Sequence, residues 1–289
     1  MNIGIIGGGA IGLLIGAHLA SEHTITIITR SMEQAKDLKE HGVHLEKDGH
    51  VHVRRVNASP IAGHSLVDYD LLVVAVKQYG LDSVVPLLRE TSSQLLFVQN
   101  GMSHVSIVKQ LSLAQDVFVG VVEHGALKTN HYKVRHTGRG KIKVASYRQK
   151  ACPFLIEGNS EFPIVFEEDA HEMLTKKLVV NAMINPLTAV LGVPNGQLLT
   201  NKYFNSLFTI LFEELAQILQ LKNREEMKRY IVEICGSTGK NHSSMLRDIQ
   251  EGRSTEIDAI LGYVLSIAAE KKLQAPITNS LYLMVKGKE

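Results

Sequence analysis

The stretch "NIGIIGGGAIGLLIGAHLA", residues 2–20, joins a short apolar run, a glycine-rich turn and a second apolar run. Residues 2–6 predict a buried strand, and the residues after the turn predict an apolar helix. The turn has the spacing G-x-G-x-x-G and consists of Gly7, Gly8, Gly9, Ala10, Ile11 and Gly12. Between a strand and a helix, such glycines allow a tight turn, close approach of a pyrophosphate and close helix–strand packing. The stretch therefore favours a dinucleotide-binding fold over a glycine-rich turn without a ligand.

Composition excludes several other classes. The chain has 289 residues, of which 45% are hydrophobic and 21% charged, as in ordinary globular proteins. A formal net charge of +2 argues against nucleic acid or an anionic membrane as a partner. Residues 3–20 lack charged side chains, but they also lack a basic leader and contain six glycines, unlike a signal peptide or membrane span. The only cysteines, Cys152 and Cys235, have no paired spacing, so a reducing, cytoplasmic location is expected.

The next predicted strand, "TITIITR" at residues 24–30, indicates which dinucleotide is bound. NAD-binding folds place an acidic residue at the end of this strand, where it hydrogen-bonds the ribose 2′-hydroxyl. This chain has Thr29, Arg30 and Ser31 there. A guanidinium group at Arg30 can bind a 2′-phosphate through charge-assisted hydrogen bonds, so NADP is favoured over NAD. The alternative for Arg30 is a solvated arginine at a strand end.

Two further apolar runs predict strands that are buried on both faces, as in a parallel sheet covered by helices. The first spans residues 71–76 and ends at Lys77, and the second spans 95–98 and ends at Asn100-Gly101. Ligands bind at such carboxyl ends of strands in open α/β sheets. Residues 117–147 alternate with a β period and are expected to add strands to this sheet. The thirteen histidines, among them His41/His44 and His50/His52, are expected on the surface or in hairpins, without a metal.

The pattern becomes helical near residue 168, so we predict two domains, 1–167 and 168–289. "EEDAHEM" resembles a helix start with Asp169 as its cap, and Gly192 and Pro194 would end that helix. Further helices are predicted at residues 203–220, 224–235 and 256–272, and a short one opens at Asn241 and Ser244. The sequence thus predicts an α/β protein, with an N-terminal Rossmann-type doubly wound sheet followed by a mostly α-helical C-terminal domain.

The first of these helices contains "KKLVVNAMINPLTA", residues 176–189, with three polar residues spaced by four: Lys177, Asn181 and Asn185. Their side chains form one polar strip on an otherwise apolar helix. A buried polar group without a partner costs about 1–3 kcal/mol, so the strip needs an internal partner, water or a ligand.

Several motifs occur in the order found in one enzyme family. They are "GGGAIG", "AVK" at Lys77, "QNGM" at Asn100, "KLVVNAMINPLTA", "PNG" at Asn195, "NHSSMLRD" and "TEID". The chain thereby resembles the ketopantoate reductases, also called 2-dehydropantoate 2-reductases, over nearly its whole length. The match is loose only at about residues 125–168.

The resemblance implies that NADPH delivers hydride to 2-dehydropantoate, giving (R)-pantoate for pantothenate synthesis. It implies that residues 1–167 form the NADP-binding domain, that residues 168–289 form the substrate and catalytic domain, and that the polar strip lines a cleft between them. Lys177 would donate the proton, because an ammonium group can stabilise and protonate the negative oxygen that forms when a ketone is reduced. Substrate would be held by Asn100, Asn181, Asn185, Asn195, Asn241 and Ser244. Cofactor contacts are implied for the glycine loop, Arg30, Lys77, Asn100, Ala126 and Glu256. A helix cap is the alternative role for Asn241, Ser244 and Glu256. A small 2-oxo acid is the expected partner, with the protein a monomer or homodimer.

Two other functions remain open at this point. The same scaffold could reduce another branched 2-oxo acid, because pocket dimensions decide that specificity. The chain could also be a non-catalytic NADPH-binding sensor, although a sensor would need the glycine loop and no proton donor.

Overall fold

The computed structural model describes residues 1–111, 115–147 and 156–289. The backbone divides into two compact units. Unit 1 comprises Met1–Gln99 and His104–Met173, and unit 2 comprises Asn100–Ser103 and Leu174–Glu289. Relative to the predicted boundary at 167/168, residues 168–173 fall in unit 1 and residues 100–103 fall in unit 2. The assignment of the two domains to cofactor and substrate stays a prediction.

Unit 1 is built on an eight-stranded sheet. Its strands are β1 (Asn2–Ile6), β2 (Thr24–Thr29), β5 (Asn57–Pro60), β6 (Leu71–Val74), β7 (Gln94–Phe97), β8 (Val117–Val122), β11 (Ile142–Ser146) and β12 (Ile164–Phe166). Their order in the sheet is β12-β11-β8-β7-β6-β1-β2-β5. Six neighbouring strands are parallel to one another, namely β8, β7, β6, β1, β2 and β5. At the edge beyond β8, β11 runs antiparallel to β8 and parallel to β12. The predicted α/β class with a Rossmann-type sheet is confirmed.

Two predicted strands end one or two residues earlier than expected, and the Gln99 side chain binds the backbone where β6 ends. Residues 75–76 and residue 98 lie outside β6 and β7. The amide Nε2 of Gln99 lies 2.8 Å from the Val74 carbonyl oxygen and 3.1 Å from that of Val76. Lys77 follows directly and opens a 3₁₀ turn at Gln78–Gly80.

The helices of unit 1 are α1 (Ala10–Leu19), α2 (Met32–His41), α3 (Leu81–Leu88) and α4 (His104–Val108). Helix α1 buries seven of its ten residues and has no charged side chain among them. It packs on β1 and β2, and also on a second sheet. That sheet has the order β4-β3-β10-β9, from β3 (Val43–Lys47), β4 (His50–Arg54), β9 (Gly125–Lys128) and β10 (Lys133–Gly138).

The expectation that residues 117–147 all extend the main sheet is therefore wrong in part. Strands β8 and β11 join the main sheet, whereas β9 and β10 pair with each other and with β3. The physical reason is α1, which is apolar on all sides and needs cover on the face away from the main sheet. Val134 of β10 is fully buried and belongs to the same core as Leu13 and Leu14 of α1.

The histidine prediction is also wrong in part. His44, His50 and His52 lie on the β3–β4 hairpin as expected. His104 and His124, however, are only 0% and 6% exposed. Among the described residues, no group of three or more His, Cys, Asp or Glu side chains is arranged to hold a metal ion.

Unit 2 is helical, as predicted. It contains α5 (Ala170–Leu191), whose first turn lies in unit 1, and then α6 (Gln197–Thr200), α7 (Lys202–Ile218), α8 (Arg224–Ser237), α9 (Ser244–Gln250), α10 (Tyr263–Glu270) and α11 (Pro276–Lys286). Asp169 Oδ1 accepts a hydrogen bond from the Glu172 amide at 2.9 Å, which confirms the predicted cap of α5. Gly192 ends α5 with a φ of +69°, a conformation that favours glycine.

Two helix starts in unit 2 differ from the prediction. Helix α9 begins at Ser244 and is capped by Ser243, whose Oγ accepts from the Leu246 amide at 3.1 Å. Asn241 lies outside this helix. The helix predicted at 256–272 begins with a π-helical turn at Asp258–Gly262 and continues as α10.

Of the two cysteines, Cys152 lies outside the described residues. Cys235 is a buried free thiol whose pKa burial raises to about 11. In the part of the chain that the structure describes, no helix combines the length and apolar character needed to cross a lipid bilayer.

Candidate active site

The glycine loop of unit 1 has the geometry that a dinucleotide requires. Gly7 has a φ of +119°, a conformation that side chains disfavour. A Cβ atom on Gly12 would overlap the carbonyl oxygen of Gly7, so the loop folds tightly against the first turn of α1. A Cβ atom on Gly9 would meet nothing within 4 Å, which leaves open space above the backbone at the start of the helix. The loop therefore fits a pyrophosphate group.

Two side chains hold the carbonyl of Gly8, and neither was predicted from the sequence. Gln34 Nε2 donates to the Gly8 oxygen at 2.7 Å, and Lys128 Nζ donates to the same oxygen at 2.9 Å. Gln34 also donates to the carbonyl of His131 at 2.8 Å, and its side chain is buried. No local pattern identifies these residues, because Gln34 comes from α2 and Lys128 from the end of β9. Ala126 lies on the same strand, two residues before Lys128.

Arg30 lies between β2 and α2 with an exposed side chain. The backbone around it is ordered by its neighbours. Thr29 Oγ1 donates to the Ser31 carbonyl at 2.8 Å, and Ser31 Oγ accepts from the Gln34 amide at 3.3 Å to cap α2. Within the described ranges, the Arg30 guanidinium forms no ion pair, so its charge is available to a ligand.

The predicted polar strip lies on one continuous helix in unit 2. Lys177 and Asn185 are half-buried, and Asn181 is 7% exposed. Neither asparagine side chain hydrogen-bonds to another group in the part of the chain that the structure describes. The neighbouring residues are fully buried, among them Leu178, Val179, Ala182 and Met183. The two amides therefore keep their donors and acceptors available beside an apolar surface, which suits a polar ligand.

Asn100 and Glu256 are brought together in unit 2. Asn100 Nδ2 donates to Glu256 Oε2 at 2.8 Å. Gly101, with a φ of +78°, lies so close to the π-helical turn that a Cβ atom would overlap the carbonyl oxygen of Ala259. The "QNGM" and "TEID" motifs therefore lie in contact with each other, which the sequence could not show.

Asn195, Asn241 and Ser244 form a second group around the start of α9. The Asn195 backbone amide donates to the Asn241 carbonyl at 3.0 Å, and Asn195 Nδ2 donates to Thr238 Oγ1 at 2.9 Å. Asn195 Oδ1 is buried and lacks a partner among the described residues. The side chains of Asn241 and Ser244 are exposed.

Thr188 connects this group to the polar strip, and it too was missed. Its hydroxyl oxygen lies 2.7 Å from Ser243 Oγ, which caps α9 beside Ser244. Thr188 is fully buried and lies one turn after Asn185 on α5. The contact holds the start of α9 close to the strip.

Two family models match the chain in succession. "Ketopantoate reductase PanE/ApbA" matches residues 3–149, and "Ketopantoate reductase PanE/ApbA C terminal" matches residues 169–289. A 2-dehydropantoate 2-reductase of Bacillus subtilis is 42% identical over 100% of this chain and 98% of its own length. The chain belongs to the ketopantoate reductase family.

Solved structures of known proteins agree with this membership. The crystal structure of a probable 2-dehydropantoate 2-reductase from Bacillus subtilis superimposes with a TM-score of 0.92 at 41% identity, covering 100% of both chains. A ternary structure of D-mandelate dehydrogenase with NADH and anilino(oxo)acetate has a TM-score of 0.87 at 20% identity, covering 100% of this chain and 98% of that one. At 20% identity, the similarity to D-mandelate dehydrogenase shows a shared fold and no more.

Proposed function

We propose that the chain catalyses the NADPH-dependent reduction of 2-dehydropantoate to (R)-pantoate, a step of pantothenate biosynthesis. The observation that carries the proposal is the strip of Lys177, Asn181 and Asn185 on α5, in a chain of the ketopantoate reductase family. It presents one amine and two unbonded amides in apolar surroundings. That is the donor and acceptor set that a hydroxylated 2-oxo acid needs.

The glycine loop, Arg30, Lys77 and Ala126 are proposed to hold the cofactor. When bound, NADPH supplies the hydride. The positive φ of Gly7 and the open space at Gly9 let backbone amides at the start of α1 face the pyrophosphate. The exposed Arg30 guanidinium suits the 2′-phosphate.

Lys177 is proposed as the proton donor. As the ketone carbon is reduced, negative charge develops on the carbonyl oxygen, and an ammonium group at that oxygen stabilises it most in the transition state. Lys177 Nζ then transfers a proton to the oxygen, which becomes the hydroxyl of the product, and the amine regains a proton from solvent. Such a step contributes about 10²–10⁴-fold to the rate.

Asn181 and Asn185 are proposed to orient the substrate, with Ser244 and, at the edge, Asn195 and Asn241. Asn100 would contact substrate and cofactor. Its Nδ2 is engaged by Glu256, so its Oδ1 is left as an acceptor for a hydroxyl or amide donor. Amides and hydroxyls bind the substrate without burying several charges. These residues all belong to one chain, so a monomer or a homodimer satisfies the proposal.

The deciding experiment mixes purified protein with NADPH and 2-dehydropantoate and follows absorbance at the nicotinamide band. We expect NADPH to be consumed only when both the protein and 2-dehydropantoate are present. Faster reduction of another 2-oxo acid, such as the one that corresponds to mandelate, would favour a different reductase on the same fold. NADPH binding without turnover of any 2-oxo acid would indicate a sensor.

A further inference from the structure

Lys128 places an ammonium group directly on the glycine loop. It is the last residue of β9, and its Nζ donates to the carbonyl oxygen of Gly8 at 2.9 Å. Gln34 donates to the same oxygen at 2.7 Å. The oxygen therefore receives two donors, one neutral and one charged. The carbonyl can accept both hydrogen bonds, but a second neutral donor would fill its other lone pair equally well, so hydrogen bonding alone does not account for the positive charge.

The hairpin that carries Lys128 is fixed in position by its own contacts. His131 Nδ1 and Asp37 Oδ2 lie 2.8 Å apart, and the His131 carbonyl accepts from Gln34. Asn130 Oδ1 accepts from the backbone amides of Tyr132 and Lys133 at 3.0 and 2.7 Å. Lys128 is thus held on the loop by the surrounding structure.

The charge of Lys128 is not balanced by the protein. The side chain is half-buried, and among the described residues no carboxylate lies within ion-pair distance of its Nζ. Burial lowers the pKa of this ammonium group, with no acidic neighbour opposing the shift. The positive end of the α1 dipole lies at the same loop. Two positive groups here cost stability in the free protein and favour an anion.

We infer that Lys128 is a cofactor-binding residue of this enzyme, whose ammonium group offsets the pyrophosphate charge of the bound dinucleotide while it holds the Gly8 carbonyl. This role rests on the proposed function, since it requires a dinucleotide on the loop. It differs from the role of Arg30, because a pyrophosphate is common to NADPH and NADH whereas the 2′-phosphate is not. Lys128 should therefore strengthen the binding of both cofactors by a similar factor.

The test uses Lys128→Met, which removes the charge and keeps the length, and Lys128→Arg, which keeps the charge. The matched control is Lys133→Met on the same hairpin, where the side chain is exposed and lies over the Tyr132 ring. Binding of NADPH and of NADH is titrated without substrate, and the melting temperature of the cofactor-free protein is measured for each variant.

We expect Lys128→Met to weaken the binding of both cofactors by roughly 10- to 100-fold, the scale of a lost charge-assisted interaction. Its melting temperature without cofactor should be unchanged or higher, because an unbalanced charge has been removed. Lys128→Arg and Lys133→Met should bind both cofactors nearly as the unaltered protein does.

Normal affinity of Lys128→Met for both cofactors would overturn the inference, and so would a loss confined to NADPH. A lower melting temperature with unchanged affinity would assign Lys128 a purely structural role and would also overturn it. These outcomes leave the proposed function intact. If the unaltered protein bound neither cofactor, the proposed function itself would fail.

Discussion

The Asn100 side-chain amide donates a hydrogen bond to Glu256 at 2.8 Å, although 156 residues separate the two in the chain. The loop after β7 is thereby joined to the residues just before the π-helical turn. Because the acceptor is a carboxylate, this is a charge-assisted bond, stronger than one between neutral groups. It fixes which way the Asn100 amide faces, which matters if Asn100 contacts both substrate and cofactor.

The first prediction concerns this pair. Asn100→Ala and Glu256→Ala should each lower kcat/KM, by roughly 10- to 100-fold, because each leaves the other group misoriented. The double variant should be little worse than Asn100→Ala alone, since orienting the Asn100 amide no longer matters once that amide is gone. Steady-state kinetics on the three variants measure this, with melting curves as the control for folding. Fully additive losses would show that the two residues act independently.

The second prediction concerns Lys177. Lys177→Ala should fold and bind NADPH normally, while its turnover falls by about 10²–10⁴-fold, the usual effect of losing a general acid. Lys176→Ala is the matched control, because the adjacent side chain points about 100° away around the helix. Melting curves, NADPH titrations and turnover measure the difference. A stable Lys177→Ala variant with near-normal turnover would exclude the proposed proton transfer.

The third prediction concerns cofactor choice. The unaltered protein should prefer NADPH to NADH, and Arg30→Ala should reduce the affinity for NADPH by about 1.5–3 kcal/mol at most. NADH serves as the internal control, since it lacks the 2′-phosphate and should bind the variant as before. Titration of both cofactors checks the expectation. Equal use of the two by the unaltered protein would contradict it.

The fourth prediction concerns the two asparagines of the strip. Asn181→Ala and Asn185→Ala should raise KM for the 2-oxo acid and leave NADPH affinity nearly unchanged, because their amides have no partner among the described residues of unit 2. For the same reason, neither variant should lose much stability. Kinetics, NADPH titration and melting curves test this together. A variant that mainly lost NADPH binding, or unfolded, would show that the strip is structural.

The fifth prediction follows from a histidine cluster in unit 1, formed by His18, His124 and His136. His124 and His18 both stack on Phe162, with ring centroids 4.4 and 4.3 Å apart. His124 Nδ1 accepts from the Gly140 amide at 3.2 Å and lies 3.0 Å from His136 Nε2. A proton on His124 Nδ1 would face the N–H group of Gly140, so this hydrogen bond requires His124 to be neutral.

Burial lowers the pKa of His18 to about 3 and that of His124 to about 4, with nearby Lys47 adding to both shifts. In the unfolded chain the pKa of each histidine is about 6.5. Between that pH and the lowered pKa, the unfolded chain therefore binds more protons than the folded protein. Stability is therefore fully present above about pH 6.5 and is lost progressively as the pH falls toward 4.

His124→Phe should reduce this slope, because one of the titrating groups is gone. Denaturant unfolding at a series of pH values between about 7 and 4.5 measures it for both proteins. His52→Phe, on the exposed edge strand β4, is the matched control and should leave the slope unchanged. Equal slopes for the unaltered protein and His124→Phe would show that the cluster does not set acid sensitivity.

The sequence by itself determined the features that depend on local periodicity. A glycine spacing between an apolar strand and an apolar helix defines the loop of residues 7–12, and its backbone follows the prediction. Runs of apolar residues located β1, β2, β6 and β7, and a spacing of four placed Lys177, Asn181 and Asn185 on one face of α5. Each of these depends on residues within a few turns or one strand of one another.

Only the tertiary structure decided the contacts between distant segments. The bond between Asn100 and Glu256, and the attachment of Lys128 to Gly8, join elements that share no local pattern. The second sheet has the same origin, because β9 and β10 have an ordinary strand period that does not specify a partner. Their partner is decided by which apolar surface remains uncovered once the chain has folded, and here that surface is the outer face of α1.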